Sequence, residues 1–172
     1  CGVAARYDSN TYETFLRTLE DKHLDLLEVS DGTIIQLGSD TTVQVLHPPY
    51  GSSWTATNVN NHSAVMRIEF GDLVFMFTGD IERQAEGRLV AKGGDLKAQV
   101  LKVPHYGSDT STTIDFLRGV NPEIAVISVG RNSYGLPSEQ VMSRLKQENV
   151  EVYRTDKDGA ITIVGRKNAL FV

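Results

Sequence analysis

The chain has 172 residues, of which 40% are hydrophobic and 23% are charged, and its formal net charge is −5 at pH 7. This is the composition of one globular domain or most of one, and it excludes intrinsic disorder and fibrous repeats. The negative balance argues against a surface that holds nucleic acid through bulk positive charge, and no apolar run is long enough to span a bilayer. The single cysteine, Cys1, excludes an intramolecular disulfide.

The first ten residues, CGVAARYDSN, contain no methionine and no apolar signal core. Two interpretations are open: a processed terminus, or a piece of a longer polypeptide. A mature lipoprotein also begins with cysteine, but a polar tether would then follow, whereas here a structured segment is predicted almost at once. We therefore expect a fragment.

The first half of the chain is predicted to form one helix and four strands. Residues 10–21 carry apolar side chains at helical spacing, and Asn10 with Glu13 matches a capping box. A long polar loop at 50–62 is of the kind that often carries function. The strands are predicted at 33–38, 42–49, 63–71 and 72–80.

The second half repeats strand, polar loop and helix. Helices are predicted at 81–93, 112–120 and 139–148, and strands at 98–104, 123–130, 150–155 and 160–165. The sequence DKDG (156–159) is typical of a hairpin turn between the last two strands and is too short for a calcium loop. The pattern predicts a mixed α/β protein whose polar loops gather at the carboxyl edge of a sheet.

Asp80 ends an apolar strand in FTGDIE (77–82) and precedes a predicted helix. Two interpretations are open, and this segment alone favours the first, in which the carboxylate caps the helix. In the second, the carboxylate is a metal ligand held at the sheet edge, where Gly79 allows a sharp turn.

His105 comes directly after Pro104, which ends the next strand, and opens the loop HYGSDTS (105–111). A lone histidine in a loop is more often structural than a ligand. Imidazole and carboxylate together are, however, what a metal such as zinc takes, and the ends of consecutive strands can converge. Asp80 and His105 together therefore predict a metal site.

The other polar residues have ordinary structural interpretations. His47 is expected to pack at a strand end. The helix that starts at Thr112 is expected to be capped with Asp115 as its partner. Solvated helix faces are expected for Glu82, Glu86, Glu139 and Glu148. A local basic rim is expected from Lys97, Lys102, Arg131, Arg144 and Lys146. Trp54 and Tyr50 are predicted either to stack on a nucleotide base or to anchor the long loop.

A set of motifs in fixed order resembles the carboxyl-terminal metallo-β-lactamase-like domain of ComEC-type DNA-uptake (competence) proteins. The resemblance runs from about Tyr12 to Val164. It implies an αββα sandwich with a binuclear metal site along one edge, and residues 1–172 as the later part of one such domain. The motifs are FTGDIE (77–82), LKVPHYGSDTS (101–111), NPEIAVISVG (121–130), NSYGLPSEQV (132–141) and VYRTDKDGAITI (152–163).

The resemblance also implies roles for individual residues. Asp80 matches the carboxylate that bridges two zinc or manganese ions, and His105 matches a terminal ligand, so both are implied to be catalytic. Such a metal pair, about 4 Å apart, clamps a phosphodiester and generates a hydroxide. Candidates for lining the substrate site are Tyr106, Ser108, Asn60, Asn61 and His62.

Three departures from the family pattern bear on this implied site. Tyr106 stands where relatives have a second histidine, and Leu136 replaces the histidine of the usual YGHP. The H-x-H-x-D-H run that supplies most of the ligands occurs nowhere in the 172 residues. Asp80 and His105 alone cannot close a four-coordinate site, so the isolated chain is expected to bind metal weakly.

The resemblance implies a fragment of a metal-dependent phosphodiesterase or nuclease domain associated with DNA uptake. The implied partners are single-stranded DNA and a membrane channel domain of the same polypeptide, with no nucleotide cofactor. The parent is expected in the bacterial cytoplasmic membrane, with this domain soluble and outside the cytoplasm. Two alternatives stay open: a degenerate, non-catalytic binding module, or a stand-alone secreted hydrolase of small phosphoesters or lactones.

Overall fold

A computed structural model describes residues 9–51, 59–166 and 169–172. Its centre is a mixed seven-stranded sheet in which the strands lie side by side in chain order, β1 to β7. The strands are β1 (Ile34–Leu37), β2 (Thr41–His47), β3 (Val65–Phe70), β4 (Leu73–Phe77), β5 (Val100–Lys102), β6 (Ile124–Ile127) and β7 (Glu151–Arg154). A separate two-stranded sheet pairs β8 (Val164–Arg166) with β9 (Ala169–Phe171).

The sheet changes character at β4. Strands β1 to β4 are antiparallel neighbours, and β4 to β7 run parallel, with Phe77, Lys102 and Val126 in register. Parallel neighbours need crossover connections, and helices make them here. The helices are α1 (Asn10–Asp21), α2 (Arg83–Lys92), α3 (Ile114–Val120), α4 (Glu139–Gln147) and α5 (Thr155–Asp158). The carboxyl ends of β4, β5 and β6 therefore share one edge, and their polar loops meet there.

The main hydrophobic core lies between one face of the sheet and helices α2, α3 and α4. Met76, Leu101 and Ile127 project from the strands, and Phe116 and Leu145 meet them from the helices, all with at most 1% of their surface exposed. Each such side chain stabilises the fold by about 1.5–3 kcal/mol through burial. The core fixes the positions of the strand ends that carry the polar loops.

The opposite face of the sheet is only partly covered. Ile161 and Ile163 lie over it, and with Phe75 and Val126 they line a cavity of about 280 Å³. Phe77, on the same face, keeps 39% of its surface exposed. The α/β class is confirmed, and the described residues supply one large sheet of the implied sandwich together with the helix layer on one of its faces.

Among the described residues, no helix combines the length and the apolar character needed to cross a bilayer. Most predicted elements are present with ends shifted by a few residues. Tyr50 is exposed, and Trp54 lies outside the described residues, so the stacking prediction for that loop stays a prediction.

The predicted hairpin at the carboxyl-terminal end is wrong. Residues 155–158 form the helical turn α5, and β7 pairs with β6 rather than with the segment that follows it. Gly159, at φ 74° and ψ −141°, redirects the chain after α5. The chain then packs Ile161 and Ile163 over the second face of the sheet, which buries apolar surface that a hairpin at the sheet edge would leave in water.

Two helix starts also differ from the prediction. Ser9, not Asn10, caps α1, because its hydroxyl accepts the N–H of Tyr12 at 3.2 Å. Helix α3 begins at Ile114 and has no side-chain cap from its own segment. The N–H groups of the two residues before it, Thr112 and Thr113, are bound by Glu86, which is fully buried, so the prediction of a solvated face for Glu86 is wrong.

Candidate functional site

Three polar segments meet at the carboxyl edge of the sheet: a 3-10 turn at Val59–His62, the turn that follows β4, and the loop that follows β5. Hydrogen bonds from backbone N–H groups hold them together. The N–H of His105 donates to the carbonyl of Gly79 at 3.2 Å, and the N–H of Glu82 donates to Oδ1 of Asn61 at 2.9 Å. Segments that are distant in the sequence thus become neighbours in one place.

Asp80 stands in the turn after β4, half-buried, and its position depends on Gly79. Gly79 has φ 55°, and an added Cβ would lie 2.5 Å from Cβ of Ser63, so a side chain fits neither the conformation nor the space. The hydroxyl of Ser63 accepts the N–H of Asp80 at 3.0 Å. Helix α2 begins three residues later, at Arg83, so the interpretation of Asp80 as the helix cap is wrong.

Glu82 joins the segments and was not predicted to do so. Its Oε1 accepts the amide Nδ2 of Asn60 at 3.1 Å and lies 3.4 Å from Nδ1 of His105. Because α2 begins after it, Glu82 is not on a solvated helix face, and only 18% of its side chain is exposed. The available signal was the second carboxylate in TGDIE, two positions after Asp80.

His105 and Tyr106 adopt two consecutive left-handed conformations, with φ of 49° and 56°. Non-glycine residues rarely adopt this region, and they hold it where the surroundings fix them. The hydroxyl of Thr110 lies 3.5 Å from Nδ1 of His105, on the ring nitrogen that also faces Glu82. Tyr106 keeps 45% of its surface exposed.

Ser108 forms contacts inside its own loop. Its backbone N–H donates to the carbonyl of His105 at 2.9 Å, and its hydroxyl pairs with the hydroxyl of Thr110 at 3.0 Å. Only 9% of its surface is exposed. Ser108 therefore shapes the loop that carries His105, and its role toward a substrate stays a prediction.

Asn61 and His62 are buried in the 3-10 turn. The ring Nε2 of His47 donates to the carbonyl of Asn61 at 2.8 Å, which anchors the turn to the end of β2. His47 is 1% exposed, so its predicted packing at a strand end is confirmed. Burial lowers the pKa of His47, and it also lowers the pKa of His62, so both rings favour the neutral form.

The basic residues do not form one rim. Lys102 ends β5 beside the site, where burial lowers the pKa of its ammonium group and Asp80 acts in the opposite direction. Lys97 lies before the amino end of the same strand. Arg144 donates to backbone carbonyls of the loop that follows β5. Leu136, at the position of the family histidine, packs against the hydrophobic core.

The carboxylates and the imidazole of this site do not make a complete metal centre. Within residues 9–51, 59–166 and 169–172, no three or more side chains of histidine, cysteine, aspartate or glutamate come together to hold a metal ion. Asp80 and His105 are the predicted ligands, and Glu82 already faces Nδ1 of His105. The donors present do not fit a closed metal site without further ligands.

Curated relatives show which proteins the chain is similar to. ComE operon protein 3 of Bacillus subtilis is 33% identical over 150 residues, which is 87% of this chain and 19% of that protein. Competence protein ComA of Neisseria gonorrhoeae is 41% identical over 104 residues, covering 59% of this chain and 15% of that protein. Recombination protein 2 of Haemophilus influenzae is 36% identical over 105 residues, or 60% and 13%.

The chain is related to the ComEC-type competence proteins. It spans less than a fifth of the length of the curated relatives named above. No protein-family model matches it. A solved structure from Parabacteroides distasonis, provisionally described as a metal-dependent hydrolase, is 14% identical with a TM-score of 0.49, over 80% of this chain and 60% of that one.

Proposed function

We propose that the chain supplies the later part of a metal-dependent phosphodiesterase or nuclease domain that acts on DNA during uptake. The observation that carries the proposal is the contact of Glu82 with Nδ1 of His105, next to the turn that holds Asp80, at the carboxyl edge of the parallel strands. This is the edge at which α/β sheets place their sites. The similarity to competence proteins supports DNA as the substrate in this proposal.

Within this proposal, Asp80 and His105 are metal ligands and Glu82 is a positioning residue. A carboxylate on Nδ1 of a histidine fixes its tautomer and leaves Nε2 to face the metal. The remaining ligands would come from residues outside this chain. Zinc and manganese both suit a carboxylate and imidazole set, and we propose one or the other in the intact site.

The proposed substrate is single-stranded DNA. Metal ions rather than lysines would neutralise its phosphates, which is compatible with the negative net charge of the chain. Tyr106 is the exposed aromatic side chain of the loop that follows β5 and is the candidate to contact a base or sugar. We further propose that a membrane channel domain of the same polypeptide delivers the DNA, outside the cytoplasm.

A second candidate function is a non-catalytic binding module. It is favoured by the lack of a three-ligand group among the described residues and by Leu136, whose packing against the core leaves no ligand at that position. The two candidates differ in whether a protein that also carries the missing ligands cleaves DNA.

The deciding experiment uses a protein in which this chain is preceded by the residues encoded before it in its gene. It is incubated with single-stranded DNA and either Mn²⁺ or Zn²⁺. Asp80→Asn and His105→Gln are each expected to lower the cleavage rate at least about a hundredfold, and Glu139→Gln, on the exposed start of α4, is the matched control. No cleavage by the unaltered protein, or full cleavage by Asp80→Asn, would contradict the proposal.

A further inference from the structure

We propose that Glu86 and Arg144 are a pair of positioning residues that fix the loop carrying His105. Neither residue belongs to that loop, since Glu86 lies on α2 and Arg144 on α4. Both contact the short segment 111–113, which joins the loop to α3. The two residues bear opposite charges and bind different backbone groups of the segment.

Glu86 binds the segment through its N–H groups. One carboxylate oxygen accepts the N–H of Thr112 at 2.5 Å, and the other accepts the N–H of Thr113 at 2.8 Å. Helix α3 has no side-chain cap from its own segment, and a carboxylate from another helix binds the N–H groups of the two residues that precede it. A fully buried carboxylate is costly unless it is paired and hydrogen-bonded, and here both oxygens are bonded.

Arg144 binds the same segment through its carbonyl groups. Its Nη1 donates to the carbonyl of Ser111 at 3.0 Å and to the carbonyl of Thr112 at 3.1 Å. The N–H of Thr112 is thus bound by a carboxylate, and its carbonyl is bound by a guanidinium group. Burial raises the pKa of Glu86, while its N–H partners and the charge of Arg144 oppose that shift and favour the carboxylate.

The segment needs this support because Thr112 is strained. Its φ is 53°, and a β-branched side chain at positive φ is an outlier that the surroundings must hold in place. Next to it, the hydroxyl of Ser111 lies 3.2 Å from the carbonyl of Pro104 and 3.0 Å from that of Ser108. Ser111 therefore ties the end of the loop to its beginning, directly beside His105.

Both ends of the loop that carries His105 contain residues with left-handed backbone conformations. His105 and Tyr106 adopt left-handed conformations at its start, and Thr112 does so at its end. Thr110, between them, faces Nδ1 of His105 at 3.5 Å. If the contacts of Glu86 and Arg144 with Thr112 are lost, we expect Thr110 to move as well. The ring of His105 then loses the Thr110 hydroxyl as a neighbour that helps to fix it. The inference rests on the proposed function only for what His105 then does.

Hydrogen exchange of backbone amides, read residue by residue by NMR on the 172-residue chain, tests this directly. The variants are Glu86→Gln and Arg144→Met. The controls are Glu148→Gln and Arg118→Met, which make the same changes in residues that form an ion pair with each other, with atoms 3.1 Å apart. Losing a bond to a charged group is expected to reduce the protection of Thr112 and Thr113 about ten- to hundredfold in the variants, and not in the controls.

The loss is also expected to reach the amides of Ser108 and Ser111 while those of β5 and β6 keep their protection. Should Glu86→Gln fail to fold, Arg144→Met and its partial rescue by Arg144→Lys test the proposal alone. Wild-type protection at Thr112 in a folded variant, or an equal loss in the controls, would overturn it. Hydrogen exchange is measured without catalysis. If the intact protein is inactive but the variants lose amide protection as expected, the proposed function is contradicted and this inference is not.

Discussion

The ring nitrogen Nδ1 of His105 lies 3.4 Å from the carboxylate of Glu82, although the two residues belong to loops that follow different strands. The same carboxylate oxygen accepts the side-chain amide of Asn60. Glu82 therefore connects all three segments of the candidate site. A carboxylate in this position orients an imidazole and makes its other nitrogen a stronger ligand.

Removal of this carboxylate should impair the site more than it impairs the fold. In the intact protein, we expect Glu82→Ala to lower metal affinity or the rate of DNA cleavage about 10- to 100-fold, as for other partners of metal-binding histidines. Glu139→Ala, which removes an exposed carboxylate at the start of α4, is the control. Metal titration and cleavage kinetics measure the effect, and equal behaviour of the two variants would show that Glu82 does not orient His105.

The turn that holds Asp80 should tolerate no side chain at Gly79. Gly71 is the matched control, because it has φ 57° and open space around an added Cβ, whereas Gly79 has φ 55° and Ser63 at 2.5 Å. Gly71→Ala should lower the free energy of unfolding by about 1–2 kcal/mol through backbone strain alone. Gly79→Ala should cost about 1–3 kcal/mol more because of the overlap with Ser63.

Urea unfolding of the two variants measures that difference. Adding Ser63→Gly to Gly79→Ala removes the overlap and should recover part of the extra cost, even though Ser63→Gly alone also loses the bond to the N–H of Asp80. Equal losses in the free energy of unfolding for Gly71→Ala and Gly79→Ala would contradict the close approach of Ser63 to Gly79.

Acidification should destabilise the fold through His47. Burial lowers the pKa of this imidazole below 6.5, so near that pH the unfolded chain binds more protons than the folded one. The contribution of His47 to the free energy of unfolding is therefore complete above pH 6.5. It falls as the pH drops towards the lowered pKa of the imidazole. The slope contributed by one such histidine is at most about 1.4 kcal/mol per pH unit.

Urea unfolding between pH 5 and pH 8 measures this slope. His47→Gln should reduce it without abolishing it, because burial lowers the pKa of His62 in the same direction. His23→Gln, which removes a histidine from the exposed turn after α1, controls for the loss of a histidine as such. An unchanged slope in His47→Gln would contradict the assignment.

Local patterns in the sequence were enough to predict the α/β class and most elements. The alternation of apolar strands, polar loops and helices locates Asp80 and His105 at strand ends, because strand register and helix spacing are short-range properties. Their proximity followed from the rule that consecutive elements are neighbours. The resemblance to competence proteins then agreed with the curated relatives.

Long-range contacts explain what the sequence did not reveal. Glu82 and Glu86 resemble solvated acids by spacing, and only their partners on other segments, Asn60 and Thr112, show otherwise. The predicted cap of α3 failed for the same reason. The last strand was misplaced because Ile161 and Ile163 cover the open face of the sheet, a long-range contact that local patterns do not reveal.

Asp80 and His105 are the proposed ligands of a metal site that this chain only partly supplies. The metal content after dialysis, of the 172-residue chain and of the protein extended by the preceding residues of its gene, tests this assignment. We predict bound zinc or manganese in the extended protein, a loss of that metal in Asp80→Asn, and substoichiometric metal in the 172-residue chain. Stoichiometric, tightly held metal in the 172-residue chain, or wild-type content in the extended Asp80→Asn variant, would contradict the claim.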